Sequence, residues 1–184
     1  MDYITFIIAC IYFYLPAAMA NIGANLGKFI PWFRNRKQPI DFGMTIYGVR
    51  VVGDHKNIGS FLFGVIFGSL FGMLKTLVFD RSMEPYLLLH ESAVSLILLY
   101  VFMSVAALCG DIIKSIIKRL CHVSPHAPFI PFDEIDHSLT SMLVAKLFFP
   151  IPWSAVVLIV CVFLFFHLVA NVIGYRLKIK DVPY

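Results

Sequence analysis

The chain has 184 residues, of which 60% are hydrophobic and only 14% charged, and its formal net charge is +4. A soluble domain is about 45–50% apolar and about 25% charged. A small domain cannot bury such an apolar excess in its own core. The composition therefore excludes a water-soluble monomer, a disordered chain and a disulfide-stapled secreted domain, and it predicts an integral membrane protein.

Charge-free runs of residues predict the membrane spans in chain order. Three of them provide the roughly 20 residues that a helix needs to cross the hydrocarbon core, at 3–27, 92–110 and 153–175. A fourth span, 59–79, is predicted if Lys75 extends its ammonium group towards the lipid headgroups. The first run has no positive residue before it, unlike a secretory signal, so we expect it to be a retained span.

The distribution of basic residues predicts the sidedness and adds a fifth span. Most of the 15 Lys and Arg residues lie between the first two spans, after the third span or after the last. Basic loops face the cytoplasm, so the chain must cross twice between Arg119 and Arg176, which makes 135–150 a short span. We therefore expect an all-α integral membrane protein with five transmembrane helices, its N-terminus outside and its C-terminus cytoplasmic. No internal repeat or soluble insertion is evident, so residues 1–184 are predicted to form one membrane-embedded domain.

The first cytoplasmic loop combines regularly placed glycines with basic residues: Gly43, Gly48, Arg50, Gly53, Lys56 and Gly59. Glycine lets backbone N–H groups approach a ligand closely, and such concavities bind anions. The loop is therefore either a phosphate-binding segment or an ordinary glycine-rich turn whose charges meet lipid headgroups. No Walker signature decides between the two.

The second cytoplasmic loop begins where the third span continues without a helix breaker to residue 120. A helix over 92–120 would be about 43 Å long, which exceeds the roughly 30 Å of the hydrocarbon core, so its last turns should emerge. Helical spacing places four polar residues on one face: Asp111, Lys114, Ser115 and Lys118. This face is either the polar side of a helix at headgroup level or part of an anion and cation site.

Two further carboxylates, Asp133 and Asp136, open the next predicted helix after a proline-rich connector. Carboxylates at a helix N-terminus can simply offset the helix dipole, but that explanation does not suit Asp111, which continues a helix. Three carboxylates among basic residues at a membrane surface indicate a hard cation shared with phosphates, as Mg²⁺ prefers.

Asn21 and Asn25 lie one helical turn apart near the cytoplasmic end of the first span. Such residues commonly tie membrane helices together. Their position is equally compatible with contact to a ligand.

The chain contains several short motifs. Each is weak evidence for a protein family, but their combined order and spacing are specific. They are segments 16–21, 39–43, 48–50, 53–59 and 110–115, followed by Lys118, Arg119, Asp133 and Asp136. In this order they resemble the CDP-archaeol synthase family.

The resemblance implies an enzyme of phospholipid biosynthesis in the cell membrane, with its active site facing the cytoplasm. Such an enzyme transfers CMP from CTP to an unsaturated archaeal ether-lipid phosphate, forms CDP-archaeol and pyrophosphate, and requires Mg²⁺. We expect Asp111, Asp133 and Asp136 to bind the metal, and Lys114, Lys118 and Arg119 to join them in catalysis. The expected substrate-binding residues are Asn21, Asn25, Asp41, Gly43, Arg50, Gly53, Lys56, Asn57, Gly59 and Ser115. No nucleic acid or protein partner is implied.

Three other functions remain open at this point. A phosphatidate-type CDP-diacylglycerol synthase would run the same reaction on an ester lipid. A CDP-alcohol phosphatidyltransferase would carry two aspartates four apart after an Asp-Gly-x-x-Ala-Arg segment, whereas Asp133 and Asp136 are three apart and follow no such segment. A transporter would place its ionisable groups at the membrane midplane in inverted repeats, whereas these charges cluster at one face.

Overall fold

A computed structural model describes residues 2–52, 56–124, 127–176 and 178, and it contains a helix at each of the five predicted positions. The long helices are α1 (Tyr3–Leu26), α3 (Ile58–Leu74), α4 (Ala93–Leu120), α5 (Phe132–Phe148) and α6 (Trp153–Arg176). The loop after α1 holds a short helix α2 (Pro31–Arg34) and a hairpin of two antiparallel strands, β1 (Thr45–Ile46) and β2 (Val49–Arg50). Short 3₁₀ turns occupy Gly27–Phe29 and Glu84–Tyr86, and a π-helical turn, Lys75–Phe79, continues α3.

The described residues include four helical segments that are long and apolar enough to cross a membrane: Tyr3–Phe29, Ile58–Phe79, Ala93–Leu120 and Trp153–Ile173. The helical, multi-pass membrane architecture is therefore confirmed. Helix α5 does not belong to this group, because its 17 residues span only about 25 Å, short of the roughly 30 Å hydrocarbon core. Its first turn carries Asp133 and Glu134, so its apolar length is smaller still.

Helix α3 packs closely on α1 and α4 through glycines spaced four residues apart. A Cβ atom on Gly64 would lie 2.7 Å from the carbonyl oxygen of Ala20, and one on Gly72 would lie 2.6 Å from Cβ of Tyr100. Small residues of this kind let membrane helices approach each other closely. As a result, the first turn of α3 lies beside the end of α1 and borders a pocket with Leu108, Asp111 and Ile112 of α4.

The apolar core lies where α1, α4, α5 and the start of α6 meet. It includes Tyr14 of α1, Met103 of α4, Met142 of α5 and Ile159 of α6, all fully buried. This core fixes α5 against α4 and α6, and thereby fixes the position of the acidic first turns of α5.

The sequence-based expectation for Lys75 was that its side chain extends towards the headgroups. In the structure Lys75 is only 3% exposed and stays inside the bundle. Its Nζ donates to Oδ1 of Asp80 and to the hydroxyl of Tyr100, both at 2.9 Å, and lies 4.0 Å from the ring centroid of Tyr12. The Tyr12 hydroxyl donates to the same Asp80 oxygen at 2.8 Å. We call these four residues the Lys75 cluster. Hydrogen bonds to Asp80, at the end of the same helical segment, and to Tyr100 of α4 satisfy the ammonium group, so Lys75 can remain inside the bundle.

Candidate active site

Lys114 lies at the point where α4 and α5 bring three carboxylates together. Its Nζ is 2.9 Å from Oδ1 of Asp111, 2.9 Å from Oδ2 of Asp136 and 3.3 Å from Oδ1 of Asp133. Asp111 precedes Lys114 by three residues on α4, and the two α5 aspartates are likewise three apart, so each pair shares a helix face. We call Lys114 and the three aspartates the Lys114 cluster.

Gly110 makes this convergence of α4 and α5 possible. A Cβ atom at residue 110 would lie 2.3 Å from Oγ1 of Thr140 and 2.6 Å from the backbone oxygen of Asp136. Any side chain here would push α5 away from α4 and separate the aspartates. Gly110 is thus a residue of the site that sequence reasoning placed in a motif without giving it a role.

Lys56 extends the cluster from the loop before α3. Its Nζ lies 2.6 Å from Oδ1 of Asp111 and donates to Oγ of Ser115 at 2.8 Å. Burial lowers the pKa of Lys56, although the negative charge of Asp111 acts in the opposite direction. Ser115 itself donates to the backbone oxygen of Asp111 at 2.9 Å, so its hydroxyl completes the local network. The structure therefore brings Lys56, Asp111 and Ser115 into one hydrogen-bonded group.

Asp41 stabilises the hairpin loop, and its oxygens are occupied by donors of that loop. They accept hydrogen bonds from the Arg50 guanidinium and from the N–H groups of Gly43 and Val52, the latter two at 3.1 Å. Burial on its own would raise the pKa of Asp41, but these donors outweigh it and hold the pKa below its usual value. In the structure Asp41 therefore orients Arg50 and orders the loop, and its contact with substrate stays a prediction.

Two other residues expected to bind substrate also have local roles. Gly43 has a φ of +91°, in the left-handed region that favours glycine, with open space where a side chain would be. Asn57 is the N-cap of α3, where its Oδ1 accepts from the N–H of Ser60 at 2.8 Å. Their positions are explained by backbone geometry before any ligand is considered.

Gly59, in the first turn of α3, is required by close packing against α2. A Cβ atom there would lie 2.0 Å from the carbonyl oxygen of Phe33. Gly53 lies outside the described residues.

Lys118 and Arg119 are buried and bind loop carbonyl groups. Lys118 donates to the backbone oxygen of Ala127 at 2.6 Å, and its Nζ lies 3.6 Å from Oδ2 of Asp133. Arg119 donates to the backbone oxygens of Arg50, at 3.2 Å, and of Val123. Lys118 thus reaches the Lys114 cluster, whereas the guanidinium of Arg119 joins the first loop to the second.

Two adjoining polar pockets open on the α1 and α3 side of the cluster. The first, of about 200 Å³, has Lys56 and Asp111 in its wall and includes both Asn21 and Asn25. The second, of about 560 Å³, shares Asn25 with the first and is bordered by three basic residues, Lys28, Arg34 and Lys37. Sequence reasoning used these three residues only to assign sidedness, so their place in a pocket was missed.

An apolar crevice of about 180 Å³ lies on the opposite side of α4, between α4 and α5. Its apolar wall includes Ile113, Ile117, Phe132, Ile135 and Leu139. Lys114 and Asp136 also line it, so the Lys114 cluster lies between a polar and an apolar cavity.

Glu134 and His137 are two further polar residues of the site that sequence reasoning did not assign. Glu134 is 2% exposed, and its Oε2 has no hydrogen-bond partner among the described residues. Nδ1 of His137 lies 3.1 Å from Oδ1 of Asp136. Their adjacency to Asp133 and Asp136 was a sequence signal that could have identified them.

The donor set suits Mg²⁺ only when a substrate supplies further ligands. Within the described part of the chain, no group of three His, Cys, Asp or Glu side chains is arranged to hold a metal ion. The ammonium of Lys114 instead stands between the three carboxylates. Mg²⁺ commonly binds through one or two protein carboxylates together with water and substrate phosphates, and the oxygen donors of the cluster meet that requirement.

Comparison with known proteins agrees with the motifs of the chain. The family model described as "CarS-like: CDP-archaeol synthase" matches residues 3–184. The chain belongs to the CDP-archaeol synthase family. This confirms the resemblance seen in the sequence.

Individual family members match over nearly their whole length. The CDP-archaeol synthase of Methanocaldococcus jannaschii is 29% identical over 175 residues, covering 95% of each chain. That of Pyrobaculum arsenaticum is 32% identical over 171 residues, covering 92% of this chain and 93% of the relative. A solved structure of an intramembrane enzyme for archaeal membrane lipid biosynthesis is 26% identical and superimposes with a TM-score of 0.69, covering 88% of this chain and 91% of that one.

Proposed function

We propose that this protein transfers CMP from CTP to an archaeal ether-lipid phosphate and so forms CDP-archaeol and pyrophosphate. The family to which the chain belongs supports this reaction. The observation that carries it is the position of the Lys114 cluster between the smaller polar pocket, which leads into the basic one, and the apolar crevice. The phosphate groups of CTP and of the lipid must meet in order to react. The rest of the nucleotide is polar and the lipid chains are apolar, so the two substrates need one polar and one apolar cavity.

The reaction joins two anions, so its main demand is positioning and charge neutralisation. An oxygen of the lipid phosphate forms a bond to the α-phosphorus of CTP, and the bond from that phosphorus to the pyrophosphate breaks. The nucleophile needs no general base, because a phosphate monoester with a second pKa of about 6 is already ionised at neutral pH. Lys56 and Lys114 lie where they can offset the negative charge at the reacting phosphates.

The nucleotide is assigned to the polar side of α4. Lys28, Arg34 and Lys37 border the larger pocket and would pair with the triphosphate oxygens through charge-assisted hydrogen bonds. Asn21 and Asn25 line the adjoining pocket, where their amides can donate to and accept from a ligand.

The lipid is assigned to the crevice between α4 and α5, where its phosphate would meet Lys114. Ile113 borders this crevice and is half exposed. Ile113→Trp fills the entrance, so it should raise the KM for lipid phosphate and leave the KM for CTP unchanged. An equal rise in both KM values would contradict the assignment.

Asp111, Asp133 and Asp136 would hold Mg²⁺ together with CTP. When bound, Mg²⁺ would neutralise charge on the triphosphate and on the departing pyrophosphate. The carboxylates keep their orientation through their own partners. The N–H of Phe129, for example, donates to Oδ2 of Asp133 at 2.7 Å.

The proposed topology has α5 as a short fifth span and the whole chain as one membrane-embedded domain. The N-terminus would lie outside, and the active site would face the cytoplasm of the cell membrane, where CTP is found. This arrangement keeps the three basic segments on one side of the membrane, as the positive-inside rule requires.

Cysteine labelling tests the topology directly. Cys121 is exposed next to the active-site end of α4, so as the single cysteine it should react with an impermeant maleimide only in inside-out vesicles. His90→Cys in a cysteine-free background is the matched control at the other end of the bundle, and it should react only in right-side-out vesicles. Labelling of both positions from the same side would contradict the topology.

The reaction is tested with CTP labelled at either the α- or the γ-phosphorus. Detergent-solubilised protein is incubated with Mg²⁺ and a lipid phosphate, and the lipid is then extracted into organic solvent. The α label should enter the organic phase and the γ label should remain in water. Transfer of the γ label, or of neither label, would overturn the proposal. Parallel reactions with ester-linked phosphatidate measure the preference for the ether linkage.

A further inference from the structure

His137 is held against one oxygen of Asp136. Its side chain is 7% exposed, and Nδ1 lies 3.1 Å from Oδ1 of Asp136. The backbone N–H of His137 donates to the same oxygen at 2.6 Å. The other oxygen of Asp136, Oδ2, lies 2.9 Å from Nζ of Lys114. The two oxygens therefore have separate partners, one behind the carboxylate and one in the Lys114 cluster.

The imidazole ring of His137 is fixed by two other helices. It packs against the ring of Tyr14 on α1 at a centroid distance of 6.3 Å, and edge-on against the ring of His167 on α6 at 5.6 Å. Ser141, one turn further along α5, donates to the backbone oxygen of His137 at 2.6 Å. The bundle core, rather than solvent, thus sets the position of the ring.

The chemistry of this contact requires a proton on Nδ1. An ionised carboxylate only accepts hydrogen bonds, so the ring nitrogen must donate to Oδ1 of Asp136. Carboxylates that bind metal ions are oriented by such partners, and removing the partner typically costs about 10–100-fold in metal affinity or activity.

We propose that His137 is a positioning residue, whose Nδ1–H holds Oδ1 of Asp136 so that Oδ2 is presented to Lys114 and to the divalent cation of the site. This inference rests on the proposed function, because only there does Asp136 bind a metal ion. His137 itself touches neither substrate nor metal.

Three substitutions separate positioning from packing. His137→Asn keeps an N–H group close to the place of Nδ1, His137→Gln moves it to the place of Nε2, and His137→Phe keeps the ring without a donor. Binding is measured by electron paramagnetic resonance of Mn²⁺ in the presence of CTP and without lipid phosphate, so that no turnover occurs. The Phe and Gln variants should bind Mn²⁺ about 10–100-fold more weakly than the unmodified protein, and the Asn variant should recover most of the loss.

His90→Phe is the matched control, because it makes the same exchange in an exposed loop far from the cluster. Melting temperature in detergent is recorded for every variant. Unchanged Mn²⁺ binding by His137→Phe would overturn the inference. So would equal losses in the Asn, Gln and Phe variants, since an N–H group at the place of Nδ1 would then make no difference to binding.

Asp136→Asn distinguishes a failure of this inference from a failure of the proposed function. If Asp136→Asn binds Mn²⁺ normally, Asp136 is not a metal ligand and the proposed site is wrong. If Asp136→Asn loses binding while His137→Phe keeps it, only the positioning role of His137 is wrong.

Discussion

Lys75 and Lys114 each lie among side-chain oxygen atoms, and the two clusters differ in charge and in access. The Lys75 cluster matches one ammonium with one carboxylate and two tyrosines, and its lysine is almost fully buried. The Lys114 cluster gathers three carboxylates and adjoins both a polar and an apolar cavity. A balanced, closed pair fixes the packing of helices, whereas an excess of carboxylates beside cavities attracts a ligand. On the proposed function, the same residue types serve structure in one cluster and chemistry in the other.

The largest expected effect comes from breaking the Lys75 cluster. Lys75→Met leaves Asp80 buried without its cation, and loss of one partner of a buried ion pair costs about 3–5 kcal/mol. We expect a lower free energy of unfolding in detergent, together with a specific activity of the folded fraction close to that of the unmodified protein. The double variant Lys75→Met/Asp80→Asn should recover much of the stability. Loss of activity in folded Lys75→Met would show that the clusters are not separate in function.

The equivalent change in the Lys114 cluster should affect turnover instead. Lys114→Met removes the charge shared by three carboxylates, and loss of one such stabilising group typically lowers kcat by about 10²–10³-fold. The carboxylates of this variant repel one another, so added Mg²⁺ should raise its melting temperature more than that of the unmodified protein. Lys75→Met is the matched control: added Mg²⁺ should raise its melting temperature no more than it raises that of the unmodified protein. Normal turnover by Lys114→Met would contradict the account.

Charges around the larger polar pocket should act on nucleotide binding alone. Arg34→Gln or Lys37→Gln removes one charge-assisted contact to the triphosphate, worth about 1.5–3 kcal/mol. Each should raise the KM for CTP about tenfold or more and leave the KM for lipid phosphate unchanged. Arg81→Gln, in an exposed loop at the other end of the bundle, is the control. A rise in the lipid KM alone would place the lipid, rather than CTP, in this pocket.

The smallest expected effect concerns the acid stability of the hairpin. Because the pKa of Asp41 is lowered in the folded protein, its contribution to stability is complete above the unfolded pKa of about 3.9. That contribution is lost as the pH falls through the lower folded value. Hydrogen exchange of the Val52 N–H should therefore stay slow through mildly acidic pH. In Asp41→Asn it should be faster throughout, and a protection equal to that of the unmodified protein would contradict the role of Asp41.

Helical periodicity made part of this site predictable from the sequence. The stripe of Asp111, Lys114, Ser115 and Lys118 follows from the geometry of one helix, and so does the spacing of Asp133 and Asp136. These relations are local, so they hold before any tertiary contact is known.

Contacts between distant segments could not be predicted in this way. The pairing of Arg119 with the backbone oxygen of Arg50 joins two loops, and the burial of Lys75 depends on Tyr12 and Tyr100 from other helices. The sequence gives no reason for a glycine at position 110. The reason is the close approach of α5, which leaves no room for a side chain there. Such features depend on how helices pack, which hydropathy and charge patterns do not encode.

The central claim is that carboxylates from α4 and α5 act together on one nucleotide-bound cation. Its most direct test is the initial rate at which α-labelled CTP transfers label to lipid in Asp133→Asn and Asp136→Asn, with the exposed Asp2→Asn as control. We expect each α5 variant to lose at least about 100-fold in rate while its melting temperature stays close to that of the control. Rates near those of the control in both α5 variants would contradict the account.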